Sequence, residues 1–162
     1  MSDLKSFPGW IESTALSTTI KAAGWIVPTV QSIHIVAICV VFVSVAMLDL
    51  RLVGALDAGK SIEHMARRYL PPVWWALPVL AATGVVMILG EPERELLSPF
   101  FWSKMGLLVT VLALTLGVVR LLEDRPLAAL AAPKRVAIQV AGALSLLLWV
   151  AIIFCGRWIA YG

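Results

Sequence analysis

Four long apolar stretches, separated by short charged segments, dominate the pattern of the chain. They cover about residues 24–50, 70–89, 100–119 and 136–155. The first has no Asp, Glu, Lys or Arg from Ala22 to Leu48. Because a helix rises about 1.5 Å per residue, such a stretch can cross a hydrocarbon core of roughly 30 Å. The pattern predicts an all-α polytopic membrane protein, a bundle of four transmembrane helices in which residues 1–162 form a single membrane domain.

Turns and short helices are predicted in the segments outside the apolar stretches. Residues 1–22 are predicted to be an interfacial segment with a short helix that Pro8 and Gly9 begin. The sequence SIEHMARRYL is predicted to form a short helix capped by Ser61, after which Pro71 and Pro72 open the second span. EPEREL, residues 91–96, is predicted to be a charged surface turn, and Pro126 and Pro133 are expected to break the third connection.

The basic residues predict the orientation of the chain. The connections after the first and third spans hold four each: Arg51, Lys60, Arg67 and Arg68, and then Arg120, Arg125, Lys134 and Arg135. Since cytoplasmic connections are enriched in Lys and Arg, both termini are predicted to lie on the outer, periplasmic side of a bacterial inner membrane.

The composition agrees with a bilayer environment. The chain is 60% hydrophobic and 14% charged, and its mean hydropathy is +0.93. The formal net charge of +3 is small, and the topology accounts for it, so it argues against a nucleic-acid partner.

Polar groups inside an apolar span are candidates for function, because their burial in lipid is costly. Gln31 and His34 lie three residues apart and therefore share a helical face. An imidazole there suits haem iron, copper or a proton relay, and Gln31 is placed to orient the ring. The alternative is a structural histidine that is hydrogen-bonded to a neighbouring helix. The second histidine, His64, lies in a charged connection and is expected to be solvated.

Charged and sulfur-containing residues near the span ends are further candidates. Lys104, at the start of the third span, is expected either to extend towards lipid headgroups or to bind an anionic group such as a propionate. Asp49 and Arg51 are two residues apart and cannot face each other on a helix, so each is expected to pair with another segment or simply to end the span. Met105, Met87 and Cys155 are candidate second ligands to a metal at His34, or core residues.

Short motifs support a family resemblance. Gln31-x-x-His34, the DLRLxG end of the first span, the Pro71-Pro72 pair and the F-x-x-K start of the third span resemble an uncharacterised family of four-span bacterial inner-membrane proteins. That family is distantly similar to the HemJ-type protoporphyrinogen oxidases and the copper-resistance-D-type bundles. In the HemJ type an early-span histidine binds haem b, an arginine closes the first span and a lysine opens the third. The resemblance assigns these roles to His34, Arg51 and Lys104.

The chain also departs from the HemJ pattern. The HemJ type has a histidine shortly after the closing arginine and another at the end of its third span. The corresponding segments here read LVGAL and GVVRLL. This difference argues against porphyrinogen oxidation and leaves a haem site in place.

The preferred hypothesis is an integral inner-membrane b-type haem protein with an electron-transfer or redox role. His34 would be the iron ligand, with Gln31, Lys104, Arg51 and Met105 as further cofactor contacts. The alternatives are a cofactor-free anchor or scaffold subunit of a larger complex and a copper-handling protein. The expected partners are the lipid bilayer and either other membrane subunits or a redox partner. Whether the protein is an enzyme stays open.

Overall fold

The computed structural model describes residues 3–56, 62–123, 127–159 and 161. Within these ranges the regular elements are all helical, in the order α1 (Asp3–Glu12), α2 (Ala15–Ala22), α3 (Ile26–Val53), α4 (Ile62–Gly90), α5 (Pro92–Leu96), α6 (Pro99–Glu123) and α7 (Ala132–Trp158), with a single 3₁₀ turn at Leu127–Ala129 before α7. The prediction of an all-helical chain is confirmed.

Four of the helices, α3, α4, α6 and α7, are long and apolar enough to cross a membrane. The predicted spans 70–89, 100–119 and 136–155 fall within α4, α6 and α7, and the predicted span 24–50 begins two residues before α3. Large apolar side chains such as Val36, Val43, Val109 and Leu147 are more than half exposed on these helices. A helix that is apolar on its outward face as well as its inward face is typical of a lipid environment.

The four long helices pack around one apolar core. α3 packs most extensively against α4 and also against α7, which in turn packs against α6. The core contains side chains from all four helices: Val41 and Val45, Val73 and Ala76, Val111, and Trp149 and Ile152. On α3 the buried residues recur every three or four positions, so one stripe of this helix faces its neighbours.

The short helices α1, α2 and α5 pack together, and they contact α4 at one end of the long helices. We call this the cap end. It contains the first turns of α3 and α6 and the last turns of α4 and α7. We call the opposite end the loop end. There α3 closes on Gly54, whose left-handed φ of 86° is accessible to glycine. The amide of Ala55 then donates to the carbonyl of Leu50 over 2.9 Å, an αL ending that satisfies a terminal carbonyl.

The prediction that Pro71 and Pro72 open the second span is wrong. α4 begins at Ile62 and continues through both residues and through Pro78. The segment predicted to be a separate short helix is therefore the first part of α4, while its predicted cap, Ser61, lies outside the described residues. A proline removes one intrahelical hydrogen bond, but packing against α3 and burial of Val73 just after the prolines maintain the helix.

Three other local predictions need correction. Pro8 lies inside α1 and does not precede a helix. Pro133 lies in the first turn of α7, where its fixed φ is compatible with helix initiation, so it does not act as a breaker. Pro126 lies outside the described ranges. The EPEREL segment forms α5, with Pro92 and Glu95 buried, because α1 covers it at the cap end.

Candidate functional site at the cap end

His34 lies in the third turn of α3, on the buried stripe of that helix, and is only 9% exposed. Its Nδ1 atom is 2.7 Å from the hydroxyl oxygen of Thr83 on α4. Thr83 is also buried. The partner of the ring is therefore a residue of the neighbouring helix, and the hydrogen bond predicted to come from Gln31 is made by Thr83.

The surroundings of Thr83 favour one tautomer of His34. The Thr83 hydroxyl lies 2.6 Å from the carbonyl oxygen of Val79 and 3.2 Å from that of Leu80. A hydroxyl has one proton to donate, and the short contact with Val79 favours its donation to that carbonyl. In that arrangement the Thr83 oxygen accepts from Nδ1–H of His34, and Nε2 of the neutral imidazole keeps the lone pair that can bind a ligand.

Gly84 lies next to the ring edge. A Cβ atom built on Gly84 would be 4.0 Å from Cε1 of His34, and it would meet nothing else within 4 Å. The residue after Thr83 therefore adds no bulk beside the imidazole. Thr83 positions the ring while Gly84 leaves space along its edge.

Lys104, in the second turn of α6, is the nearby cation. Its Nζ would be 3.7 Å from a Cβ atom built on Gly156 of α7, so the side chain lies across a helix surface that lacks a side chain. Lys104 is close enough to His34, Glu95 and Cys155 to interact with each of them electrostatically. The ammonium group therefore lies among the helices of the cap end, and both predicted roles of Lys104 stay predictions.

Glu95 of α5 is the carboxylate beside Lys104, and it is only 5% exposed. Burial raises the pKa of Glu95, whereas the charges of Lys104 and Arg94 act to lower it and that of Glu91 acts to raise it further. Sequence reasoning missed this residue. A signal was available, because a lysine at the start of an apolar helix needs a counter-charge, and three glutamates precede it within a short segment.

The comparison with protein families gives one result. A model described as a family of unknown function, DUF6644, matches residues 7–162. The chain belongs to this family. No curated protein and no solved structure matches it. The DUF6644 match includes α2, α5 and the last six residues of α1 as well as the long helices, so most of the cap is part of the unit that the family shares. The likeness to HemJ-type and copper-resistance-D-type proteins stays a prediction.

The structure brings together some of the predicted site residues and separates others. His34 and Lys104 both lie at the cap end and are close enough to interact electrostatically, and Met105 and Cys155 at the same end are half-buried. Arg51 follows His34 by seventeen residues on the continuous helix α3, about 25 Å along its axis. Arg51 therefore lies at the loop end and does not join this site.

The remaining candidates are less well placed. Gln31 is partly exposed one turn before His34, and its contact with a cofactor stays a prediction. Met87 is half-buried near the end of α4, and His64 is exposed at the loop end. Within the described ranges no group of three or more His, Cys, Asp or Glu side chains is arranged to hold a metal ion.

Proposed function

We propose that this DUF6644 protein is an integral membrane b-type haem protein with an electron-transfer role, in which Nε2 of His34 binds the iron. The observation that carries the proposal is the hydrogen bond between His34 Nδ1 and the Thr83 hydroxyl at 2.7 Å. With Nδ1 as the donor, the other ring nitrogen is unprotonated inside an apolar helix bundle. A hydrogen bond of this kind orients a ligating histidine and increases its basicity.

The residues around His34 fit such a group. Gly84 leaves room along the ring edge, and Lys104 contributes a positive charge at the same end. A haem b, when bound, supplies a one-electron redox couple. Lys104 would then contact an anionic propionate. Because Glu95 already lies beside this lysine, the propionate would share the ammonium group with that carboxylate.

The proposed topology places α3, α4, α6 and α7 across a bacterial inner membrane. The loop end faces the cytoplasm, and the cap end faces outward together with both termini. Exposed cations at the loop end support this orientation: Arg67, Arg68, Arg120, Lys134 and Arg135. Lys and Arg residues in short connections favour the cytoplasmic side. The haem would then lie in the outer half of the membrane.

The decisive measurement is a reduced-minus-oxidised visible spectrum of protein made with ample haem supply. Wild type is expected to show haem bands. His34→Ala should remove them because the ligand is lost, whereas His64→Ala should retain them because His64 is exposed at the opposite end. If wild type has no haem bands, the haem proposal fails, and a cofactor-free anchor or scaffold subunit takes its place. Copper bound to a protein without haem bands would instead favour copper handling.

Lys104 gives a second variant for the same spectra. Loss of a charge-assisted contact is expected to weaken haem retention roughly tenfold in Lys104→Met, whereas Lys104→Arg should retain most of it. Lys134→Met is the matched control, since Lys134 is exposed at the loop end. Equal haem retention in all three variants would mean that Lys104 does not contribute to the haem site.

A further inference from the structure

A second buried polar cluster lies towards the loop end, between α3 and α7. The two helices approach closely at Gly142, where an added Cβ atom would be 3.3 Å from the carbonyl oxygen of Asp49 and 3.2 Å from Cβ of Leu52. Ser145 lies in the next turn of α7. The contact at Gly142 therefore places Ser145 beside the turn of α3 that contains Asp49. Asp49 is 4% exposed and Ser145 is 2% exposed.

Three polar atoms in this region are fully buried and have no hydrogen-bond partner among the described residues. They are Oδ2 of Asp49, the hydroxyl oxygen of Ser145 and Nε1 of Trp149. The Ser145 hydroxyl is near enough to interact with the Asp49 carboxyl group, although the two do not meet the geometry of a hydrogen bond. Trp149 lies one turn beyond Ser145 on the same face of α7 and is 2% exposed.

The charged groups near this cluster can be located among the residues that the structure describes. On α3 itself, Arg51 is two residues away and so points to a different side of the helix. On the neighbouring helices the titratable and charged side chains described nearest the loop end are exposed: His64, Arg67 and Arg68 on α4, Arg120 on α6, and Lys134 and Arg135 on α7. The groups of α7 that face Asp49 are neutral.

Ser145 and Trp149 carry the hydrogen-bonding groups that suit a carboxyl group, Asp49, that changes its protonation state. An ionised carboxylate inside an apolar region is costly unless it is paired or hydrogen-bonded. Uptake of a proton removes the charge, and the acid can then donate to the Ser145 oxygen. After release of the proton, the carboxylate can accept from the Ser145 hydroxyl and from the Trp149 indole N–H. The cluster therefore offers partners to both forms.

We propose that Asp49, Ser145 and Trp149 form a proton-binding site in which the Asp49 carboxylate takes up one proton to give the neutral acid and releases it again. Only a proton is transferred, and no redox partner is needed. The ligand is H⁺ and not a metal cation. The hydrogen of the indole N–H carries a partial positive charge, so it would repel a cation bound at the carboxylate. The site does not depend on His34 or on haem.

Infrared spectroscopy of the protein in liposomes tests this proposal directly. The wild-type minus Asp49→Asn difference spectrum is expected to contain the C=O stretching band of a protonated carboxylic acid near neutral pH, and this band should vanish as the pH is raised. Glu95→Gln should leave the band in place, because it removes a different buried carboxyl group, which lies at the cap end. Ser145→Ala and Trp149→Phe remove a donor to the carboxylate, so each should move the midpoint to higher pH by the order of one pH unit. Ser44→Ala is the matched control. Ser44 is a buried serine of α3, and its replacement should not move the midpoint.

Three results would overturn the proposal. A band that persists at every pH would make Asp49 a permanently neutral structural residue. Absence of the band at every pH would mean that Asp49 stays ionised. A band that disappears at fixed pH when sodium replaces choline in the buffer would identify a cation site in place of a proton site.

Discussion

The hydrogen bond between His34 and Thr83 makes a prediction that does not require any cofactor. Thr83→Val keeps the β-branched shape of the side chain but removes the hydroxyl. In the tautomer favoured above, this hydroxyl accepts from His34 Nδ1 over 2.7 Å and donates to the Val79 carbonyl over 2.6 Å. The variant therefore leaves the Nδ1–H group of a buried imidazole without its acceptor.

The size of the effect follows from two general ranges. Leaving a buried donor unsatisfied costs about 1–3 kcal/mol. Hydrogen bonds between helices in membrane proteins are weaker, on average about 0.6 kcal/mol and at most about 1.7 kcal/mol. His34 is 9% exposed, so its ring is not free to turn to solvent. We therefore expect Thr83→Val to lower the free energy of unfolding by about 1 kcal/mol, and Thr83→Ser, which keeps the acceptor, to lower it by less.

The assay is ¹⁵N NMR of histidine-labelled protein in bilayers or micelles, together with denaturant unfolding. The chain has two histidines, so His64→Ala assigns the signals of His34. Wild type should show a protonated Nδ1 and an unprotonated Nε2 at His34, and Thr83→Val should lose this preference. The reasoning is refuted if wild-type His34 carries its proton on Nε2. In that case Thr83 would donate to the ring, and the nitrogen proposed to bind iron would not be available.

Two further predictions concern topology and the cap end. With the native cysteines replaced, cysteines placed at Lys60 and Pro126 should be protected from an impermeant thiol reagent in intact cells and one at Glu93 should react; the opposite pattern would invert the topology. Burial raises the pKa of Glu95, so the folded state holds this proton more tightly than the unfolded state. The free energy of unfolding should therefore fall as pH rises from the ordinary carboxyl range through the folded-state pKa. Glu95→Gln should remove that slope in denaturant titrations, and an unchanged slope would contradict the assignment.

Hydrophobic pattern alone was enough to place the long helices, because a run of apolar residues specifies its environment without reference to other segments. It was not enough to place their ends. α4 begins at Ile62 and passes through Pro71, Pro72 and Pro78, although local propensity predicts a break there. The contacts with α3 that stabilise this helix are long-range, and sequence reasoning about one segment does not contain them.

The partners in the candidate site depend on the same long-range information. His34 is recognisable in the sequence as a polar group inside an apolar run. Its partner Thr83 is 49 residues away, and a threonine in an apolar helix usually bonds to the preceding turn, as Thr83 also does with Val79. Thr83 is identified as the partner of His34 only by the way α3 and α4 pack, which decides which residue of α4 lies opposite the ring. The burial of Glu95 was not predictable for a similar reason, since α5 packs against α1, α4 and α6, which are distant from it or separate from it in the sequence pattern.

The positions of His34 and Asp49 on α3 have a mechanistic consequence. Fifteen residues separate them, about 22 Å along the helix axis, and His34 contacts α4 whereas Asp49 faces α7. The region between them is the apolar core around Val41, Val45 and Trp149. Valine side chains offer no hydrogen-bonding groups, so the buried polar side chains in this part of the core are those of Ser44 and Trp149. A proton moving between the two sites through this core would have to use them. Coupling without such a relay would act through a shift of α3 against its neighbours, which the close contact with α7 at Gly142 would resist.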